Sequence, residues 1–274
     1  MARKAVIKAR GGFSPFIVLL DLAKGLSKTS LWTAFAWDEI QNRYRRSHLG
    51  LVWIVLSYLI FVLAIAMFFG GFSRMGGGSF TVHVAYNYAI FGFLVANLTD
   101  GCEVFRVASS WIKSTTLPHA IFVYKSIARS LFTFVLNLAV AILVAWYLGL
   151  PPTSLAFLSI PAFFVLLINA VWIQLVFGYA ASRFRDLTHL ISALTRLLFF
   201  LTPIIWVLDE RTGITRKIAE FNPFTHALEI FTAPLMGEMP DPHSWVFVLV
   251  LTFVGCVLSV IVGGIAHRRL PFWL

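Results

Sequence analysis

The sequence has little charge for its length: of 274 residues, only 12 % are Asp, Glu, Lys or Arg. Soluble globular proteins carry about 25 % charged residues. Apolar residues make up 59 % of the chain, and its mean hydropathy is +0.85. A water-soluble surface cannot be built from this composition, which also excludes disordered and collagen-like chains. The composition therefore indicates an integral membrane protein.

Cysteine and the motifs of catalysis are scarce as well. Cys102 and Cys256 both lie within or beside apolar stretches, where they behave as small hydrophobic residues. The sequence contains no GxxxxGK[ST], HExxH or GxSxG motif and no Cys/His metal spacing. We therefore expect no catalytic residue, no metal site and no cofactor on this chain. Carboxylates are few in the apolar stretches, which disfavours a proton-driven carrier and favours an energy source on another subunit.

Six apolar stretches approach the roughly 20 residues that a helix needs to cross a bilayer. The predicted spans are 49–72, 80–100, 121–149, 155–181, 187–208 and 244–266. With both termini in the cytoplasm, 18 of the 22 Lys and Arg residues fall on the cytoplasmic side. This asymmetry satisfies the positive-inside rule, so the net charge of +10 reports topology and not nucleic-acid binding. The expected fold is an all-α, six-span integral membrane protein in one domain, 1–274.

The segment 28–46 is too polar to span, but it carries a helical stripe. Trp32, Ala36, Ile40 and Tyr44 recur every four residues. We interpret it as an amphipathic helix in the cytoplasmic interface. The alternative is a surface helix packed on the protein itself.

Two further segments between spans have helical patterns. In 104–116 the apolar residues have helical spacing, and Leu117-Pro118 disfavours continuation of the helix. Such a helix either docks onto a soluble partner or packs on its own chain. The proline-rich outer segment 209–243 predicts two short helices, around 214–220 and 224–235, that dip into the outer leaflet, or else a surface cap.

Some residues inside the predicted spans have two interpretations. Arg196 either extends to the cytoplasmic interface or lines a wet cavity that receives an anionic substrate. The 27 Phe, 9 Trp and 7 Tyr residues suit interfacial belts and lipid contacts. Aromatic faces also stack on sugar rings, so some of these side chains would line a path for a glycan.

Five short runs carry a resemblance to a known family. They are Arg43–Trp53 (RYRRSHLGLVW), Leu117–His119 (LPH), Phe184–Leu187 (FRDL), Leu201–Ile204 (LTPI) and Phe221–Phe224 (FNPF). In this order within a six-span frame, the chain resembles the permease subunits of ABC-2-type polysaccharide exporters. The likeness is greatest to the O-antigen and teichoic-acid export permeases, and it extends from about residue 28 to the last span.

The resemblance implies a bacterial inner-membrane homodimer that pairs with two nucleotide-binding subunits, which hold ATP and Mg. The dimer would export a polyprenyl-pyrophosphate-linked polysaccharide. The helix 28–46 would contact the ATPase, the helix 104–116 would be the coupling helix, and 211–236 would be a re-entrant hairpin that closes the channel.

The same resemblance assigns candidate site residues. The coupling residues would be Phe105, Arg106, Ala108, Trp111, Ile112 and Lys113. Contacts with the lipid pyrophosphate or the interface would come from Arg43, Arg45, Arg46 and Arg196. The channel lining, at a seam of spans one and five, would include Tyr58, Phe61, Phe199 and Trp206.

Other classes remain as alternatives. A capsular-polysaccharide or teichoic-acid permease would share this plan, and so would an ABC-2 exporter of drugs or small lipids. A membrane-embedded glycosyl- or phosphotransferase would need a cluster of carboxylates with a metal, which the sequence lacks.

Overall fold

A computed structural model describes residues 16–45, 47–210 and 212–274. Within these residues the chain forms helices and turns and no strand, which confirms the all-α prediction. The α-helices are α1 (Phe16–Leu26), α2 (Thr29–Tyr44), α3 (Val52–Phe69), α4 (Gly77–Val107), α5 (Ser109–Ser114), α6 (Ala120–Tyr147), α7 (Ser159–Arg183), α8 (Asp186–Leu201), α9 (Gly213–Phe221), α10 (Pro223–Leu235), α11 (Pro242–Ala266) and α12 (Leu270–Trp273). Short 3-10 turns at Gly70–Phe72, Ser154–Leu158 and Leu208–Glu210 complete the described elements.

Five helical segments of the described chain are long and apolar enough to cross a membrane. They are Val52–Phe72, Gly77–Val107, Ala120–Tyr147, Ser154–Arg183 and Pro242–Ala266. They correspond to the first four predicted spans and the last. We call the end of this bundle where α4 ends and α6 begins the coupling end, and the opposite end the hairpin end.

The fifth predicted span, 187–208, is α-helical only as far as Leu201. Helix α8 has 16 residues and ends at Leu201, because Thr202 is extended (φ −99°, ψ 140°) and precedes Pro203. A residue before proline is disfavoured in the α region, so a continuous helix over 187–208 was a wrong prediction. The segment nevertheless runs the length of the bundle. Leu187 packs at the coupling end, and the Glu210 carboxylate accepts a hydrogen bond from Ser73 Oγ (2.9 Å) at the hairpin end.

Helix α4 is the centre of the bundle and is buried around most of its circumference. It crosses α7 closely, since a Cβ added to Gly178 would lie 2.8 Å from Val104 Cγ1. Small residues allow such approach between membrane helices, where there is no water to expel. Buried polar side chains join α7 and α4, and also α6. Gln174 Nε2 of α7 donates to Asn97 Oδ1 of α4 (2.7 Å), and Asn97 Nδ2 donates to Ser130 Oγ of α6 (3.3 Å).

Helices α9 and α10 form a hairpin whose apex reaches into the bundle. Asn222 lies at the apex, where its Oδ1 caps α10 by accepting from Phe224 N (3.0 Å) and its Nδ2 donates to Thr202 Oγ1 (2.9 Å). The Phe224 ring is 5.8 Å from that of Phe91, which lies about 21 Å along α4 from Gly77. The apex is therefore level with the middle of the longest helix. Of the predicted hairpin 211–236, residue 211 lies outside the described residues.

Candidate functional site

The predicted coupling helix, 104–116, is divided in the structure. Helix α4 continues to Val107, α5 covers Ser109–Ser114, and Ala108 (φ −86°, ψ 8°) separates the two. The candidate coupling residues differ in exposure. Phe105, Ala108 and Ile112 are buried, whereas Arg106, Trp111 and Lys113 are exposed. A soluble partner would therefore meet the second set.

The buried and exposed residues of this segment contact different helices. The Phe105 ring packs 4.7 Å from the Tyr179 ring of α7, which fixes the end of α4 in the bundle. The Trp111 ring lies 5.5 Å from Phe35 of α2 and keeps 48 % of its surface exposed. Trp111 thus lies between the bundle, the predicted interface helix and the space that a partner would occupy.

A carboxylate from α1 caps the helix that follows this loop. Asp21 Oδ1 accepts from the backbone N of His119 (3.0 Å), and Oδ2 accepts from that of Ala120 (2.7 Å). Negative charge at a helix N-terminus is favourable because these N–H groups have no partner within the helix. The cap ties α1 to the end of the loop.

Two histidines lie beside this cap. The His119 and His267 rings are 4.3 Å apart, and Tyr179 Oη is 3.1 Å from His267 Nδ1. Burial lowers the pKa of His119 to about 3 and lowers the pKa of His267, so both rings are neutral near pH 7. Burial also raises the pKa of Asp21.

The helical stripe predicted in 28–46 is the packing face of α2. Ala36 and Ile40 are buried against α6, and the Trp32 ring lies 6.0 Å from that of Tyr124. Packing on protein, the alternative interpretation, therefore describes this face. Trp37 remains 47 % exposed, which leaves an aromatic side chain on the outer surface of α2.

Charge pairs join α2 to the bundle. Glu39 pairs with Lys125 (Oε2–Nζ 2.8 Å) and with Arg129, and Arg129 Nη2 also binds Asp100 Oδ2 (2.7 Å). The four side chains are between 15 % and 34 % exposed, so water screens these pairs less than it screens pairs on an open surface. Sequence reasoning counted Lys125 and Arg129 only as topology signals and missed this network, because its members are far apart in the chain.

The arginines predicted to meet the lipid pyrophosphate lie on separate elements. Arg43 and Arg45 are exposed at the end of α2 and line a cavity of about 520 Å³, whereas Arg46 lies outside the described residues. Arg196 is exposed on α8, ten residues (about 15 Å) after Asp186. Within the described chain no carboxylate pairs with Arg196.

Three of the four predicted channel residues belong to one aromatic cluster around Tyr88. Phe61 stacks on Tyr88 with ring centroids 4.1 Å apart, and Phe199 lies 5.7 Å from Phe61. Tyr58 is buried, lies 5.8 Å from Tyr88, and donates to the Ala85 carbonyl (2.6 Å).

The fourth predicted channel residue is Trp206, in the segment after α8. It is buried, and its Nε1 donates to the Phe200 carbonyl (3.1 Å). Sequence reasoning missed Tyr88 and Phe91, although their three-residue spacing on a helix would have placed them on one face.

The five long apolar helices are typical of a multi-pass membrane protein. The sequence pattern of the ABC-2 type transporter family matches residues 30–236, and the chain belongs to this family.

Several curated relatives cover most of the chain. An O-antigen export system permease protein from Klebsiella pneumoniae is 21 % identical over 81 % of this chain and 85 % of its own length. A second protein of that description and organism is 20 % identical over the same shares. One from Myxococcus xanthus is 23 % identical over 84 % of this chain and 89 % of its own length.

Proposed function

We propose that this chain is the transmembrane permease subunit of an ATP-driven exporter. It moves a polyprenyl-pyrophosphate-linked polysaccharide, O-antigen, across the bacterial inner membrane. The similarity to O-antigen export permeases over more than four-fifths of the chain carries this proposal. In it, ATP and Mg are bound by a separate nucleotide-binding subunit, and this chain performs no catalysis.

In this proposal the chain crosses the membrane six times, with both termini and the coupling end in the cytoplasm. The five long helices supply five crossings. The segment 186–210 supplies the other, since it runs from the coupling end to the contact between Glu210 and Ser73. The hairpin α9–α10 is then re-entrant from the outer side, which the depth of Phe224 beside Phe91 supports.

Two copies of the chain, with two ATPase subunits, form the transport unit. The exposed apolar side chains on α3 and α8, which include Ile60, Leu63, Leu194 and Leu197, supply a surface for a second copy. The same two helices contribute Phe61 and Phe199 to the aromatic cluster around Tyr88. Opening of the seam between the copies would let the glycan slide along aromatic rings, with Arg196 placed to meet the pyrophosphate.

ATP binding acts on this chain through its coupling end. The partner presses on Trp111 and Lys113, the exposed residues of α5. Because α5 follows the 31-residue α4 after a single break, a push there is passed to a helix that reaches the hairpin. The charge pairs between Glu39, Arg129 and Asp100 make α2 move with this helix.

A deletion strain tests the proposal. Loss of the gene should trap lipid-linked glycan in the cytoplasm, and the wild-type gene should restore surface glycan. Sensitivity to a compound without glycan retention would instead indicate a small-molecule exporter.

Complementation with Trp111→Asp tests the coupling step. This variant should assemble with the ATPase but export less than one-tenth of the wild-type amount. Trp111→Tyr, which keeps a ring beside Phe35, is the matched control and should export normally. Normal export by Trp111→Asp would refute the assignment of α5 to coupling.

A further inference from the structure

A cavity of about 840 Å³ lies at the hairpin end, between the hairpin, the segment after α8 and the first turns of α4 and α11. This volume is within the range of about 300–1,000 Å³ that is usual for small-molecule sites. Its floor is polar and buried and includes Asn87, Thr225 and Thr232. Its rim is exposed and includes Glu238 and Asp241.

The cavity gathers half of the carboxylates in the chain. Six of the 12 acidic residues line it: Asp209, Glu210, Glu220, Glu229, Glu238 and Asp241. Of the described residues, two arginines, Arg74 and Arg216, also line it, so six carboxylates against two guanidinium groups give the described lining a formal charge of −4. An anionic ligand would therefore be repelled.

Among the polar groups on the floor is the Thr225 hydroxyl, which the described chain leaves without a partner. Thr225 is only 3 % exposed, and its Oγ1 makes no hydrogen bond within the described chain. A buried hydroxyl that lacks a partner costs about 1–3 kcal/mol, so such groups are rare unless a ligand or solvent satisfies them. Its neighbour on α10 differs, because Thr232 Oγ1 is engaged with Asn87 Oδ1 (3.1 Å) and the Leu228 carbonyl (3.0 Å).

The lining suits a neutral, hydroxyl-rich ligand better than a metal ion. Among the described residues, no three His, Cys, Asp or Glu side chains are placed to hold a metal together. Carboxylates accept hydrogen bonds from hydroxyl groups, and charge-assisted bonds of this kind are stronger than neutral ones. Phe221, which is 81 % exposed on the rim, offers a flat apolar face to the C–H surface of a sugar ring.

We propose that this acidic cavity is a carbohydrate subsite that binds uncharged sugar units of the exported glycan as they reach the outer side. Its negative field excludes polymers that carry phosphate in their repeating units, so the sugar units of the cargo are neutral and the cargo is not a teichoic acid. The Thr225 hydroxyl bonds to one sugar hydroxyl on the floor, and the rim carboxylates accept from others. This inference rests on the proposed export function and specifies its substrate class.

The test uses the glycan that the deletion strain retains, released from its lipid by mild acid. Its binding to the purified full chain in lipid nanodiscs is measured by native mass spectrometry. Thr225→Val keeps the side-chain shape and removes a hydroxyl that has no partner in the protein, so the fold should be unaffected. We expect the glycan to bind this variant roughly tenfold more weakly, the equivalent of one lost hydrogen bond. Thr215→Val, on α9 outside the cavity lining, is the control and should bind as the wild type does.

A second measurement tests exclusion by charge. A glycerol-phosphate hexamer should not bind the wild type, whereas the double variant Glu229→Gln, Glu238→Gln should bind it measurably. Equal binding of the retained glycan by wild type and Thr225→Val would overturn the subsite, and so would wild-type binding of the hexamer. Displacement of the glycan by millimolar CaCl₂ would indicate a cation site and also overturn the proposal. If the deletion strain retains no glycan, the export function itself fails, which is a separate result.

Discussion

The two ends of the bundle use charge in opposite ways. At the coupling end, acidic residues pair with basic ones across elements, as Glu39 and Asp100 do through Arg129. At the hairpin end, elements are joined by hydrogen bonds with at least one neutral partner, such as His226 Nδ1–Ser244 Oγ (2.9 Å) and Ser73 Oγ–Glu210 (2.9 Å), and six carboxylates line a cavity. Partly buried charge pairs have strict geometry, whereas neutral hydrogen bonds exchange readily with water. In the function proposed above, the coupling end would pass the movement of the ATPase to the bundle, and the hairpin end would open and close.

Removal of the Arg129 guanidinium, which holds the charge pairs of the coupling end, should lower the free energy of unfolding most. Arg129→Met leaves Glu39 and Asp100 partly buried without their shared partner, and loss of one member of a buried pair costs about 3–5 kcal/mol. Since these side chains retain some exposure, we expect about 2–3 kcal/mol, or a melting temperature lower by roughly 5 °C or more in detergent. The control Arg106→Met breaks an exposed pair with Glu103. A melting temperature of Arg129→Met equal to that of the control would show that the coupling end is not held by charge.

Acidification should weaken the coupling end next. The folded-state pKa of His119 is about 3, below its unfolded value near 6.5. The neutral His119 ring therefore stabilises the fold fully above pH 6.5. This stabilisation is lost as the pH falls, and the loss amounts to about 2 kcal/mol at pH 5. The lowered pKa of His267 acts in the same direction, whereas the raised pKa of Asp21 opposes it at lower pH. Thermal unfolding at pH 7 and pH 5 measures this loss, which His119→Gln should reduce; an unchanged difference in that variant would assign the effect to other groups.

At the hairpin end, Asn222→Ala should cost about 1–2 kcal/mol, because it removes both the cap of α10 and the bond to Thr202. Asn222→Ser keeps a side-chain oxygen for the cap of α10 and loses the amide group that donates to Thr202, so it should cost less. Chemical unfolding in mixed micelles ranks the two variants. The reverse order would mean that the cap contributes nothing to the hairpin.

The smallest effect is expected for Glu103→Gln. The pair between Glu103 and Arg106 lies three residues apart on one helix, and the Arg106 side chain is 60 % exposed. Such pairs contribute less than about 0.5 kcal/mol, so the melting temperature should stay within error. A clear loss of stability would show that even exposed charge matters at the coupling end.

Local patterns in the sequence predicted much of this fold. The five long helices follow from apolar runs, and the four-residue spacing of Trp32, Ala36 and Ile40 predicted the apolar face of α2, though not that it packs on α6. The early end of α8 was also readable. The rule that stops a helix before Pro118 applies equally to Thr202 before Pro203, but the apolar run after it obscured the signal.

Contacts between distant segments were beyond such patterns. Asp21 binds backbone groups 98 and 99 residues away, and Asn87 meets Thr232 across 145 residues. Nothing in the spacing of these residues indicates that they are neighbours. The carboxylates between 209 and 241 were visible as an acidic stretch, yet their convergence on one cavity depends on the insertion of the hairpin.

The cap that Asp21 places on α6 has a consequence for where this domain begins. The family match starts at residue 30, whereas α1 precedes it and lies between α6 and α11, with Val18 filling the space above Gly263. A protein shortened to the matched residues would lose a helix cap and expose an apolar groove. The family match thus covers fewer residues than the structure needs in order to fold. Engineered versions of this permease should therefore retain α1, α11 and α12.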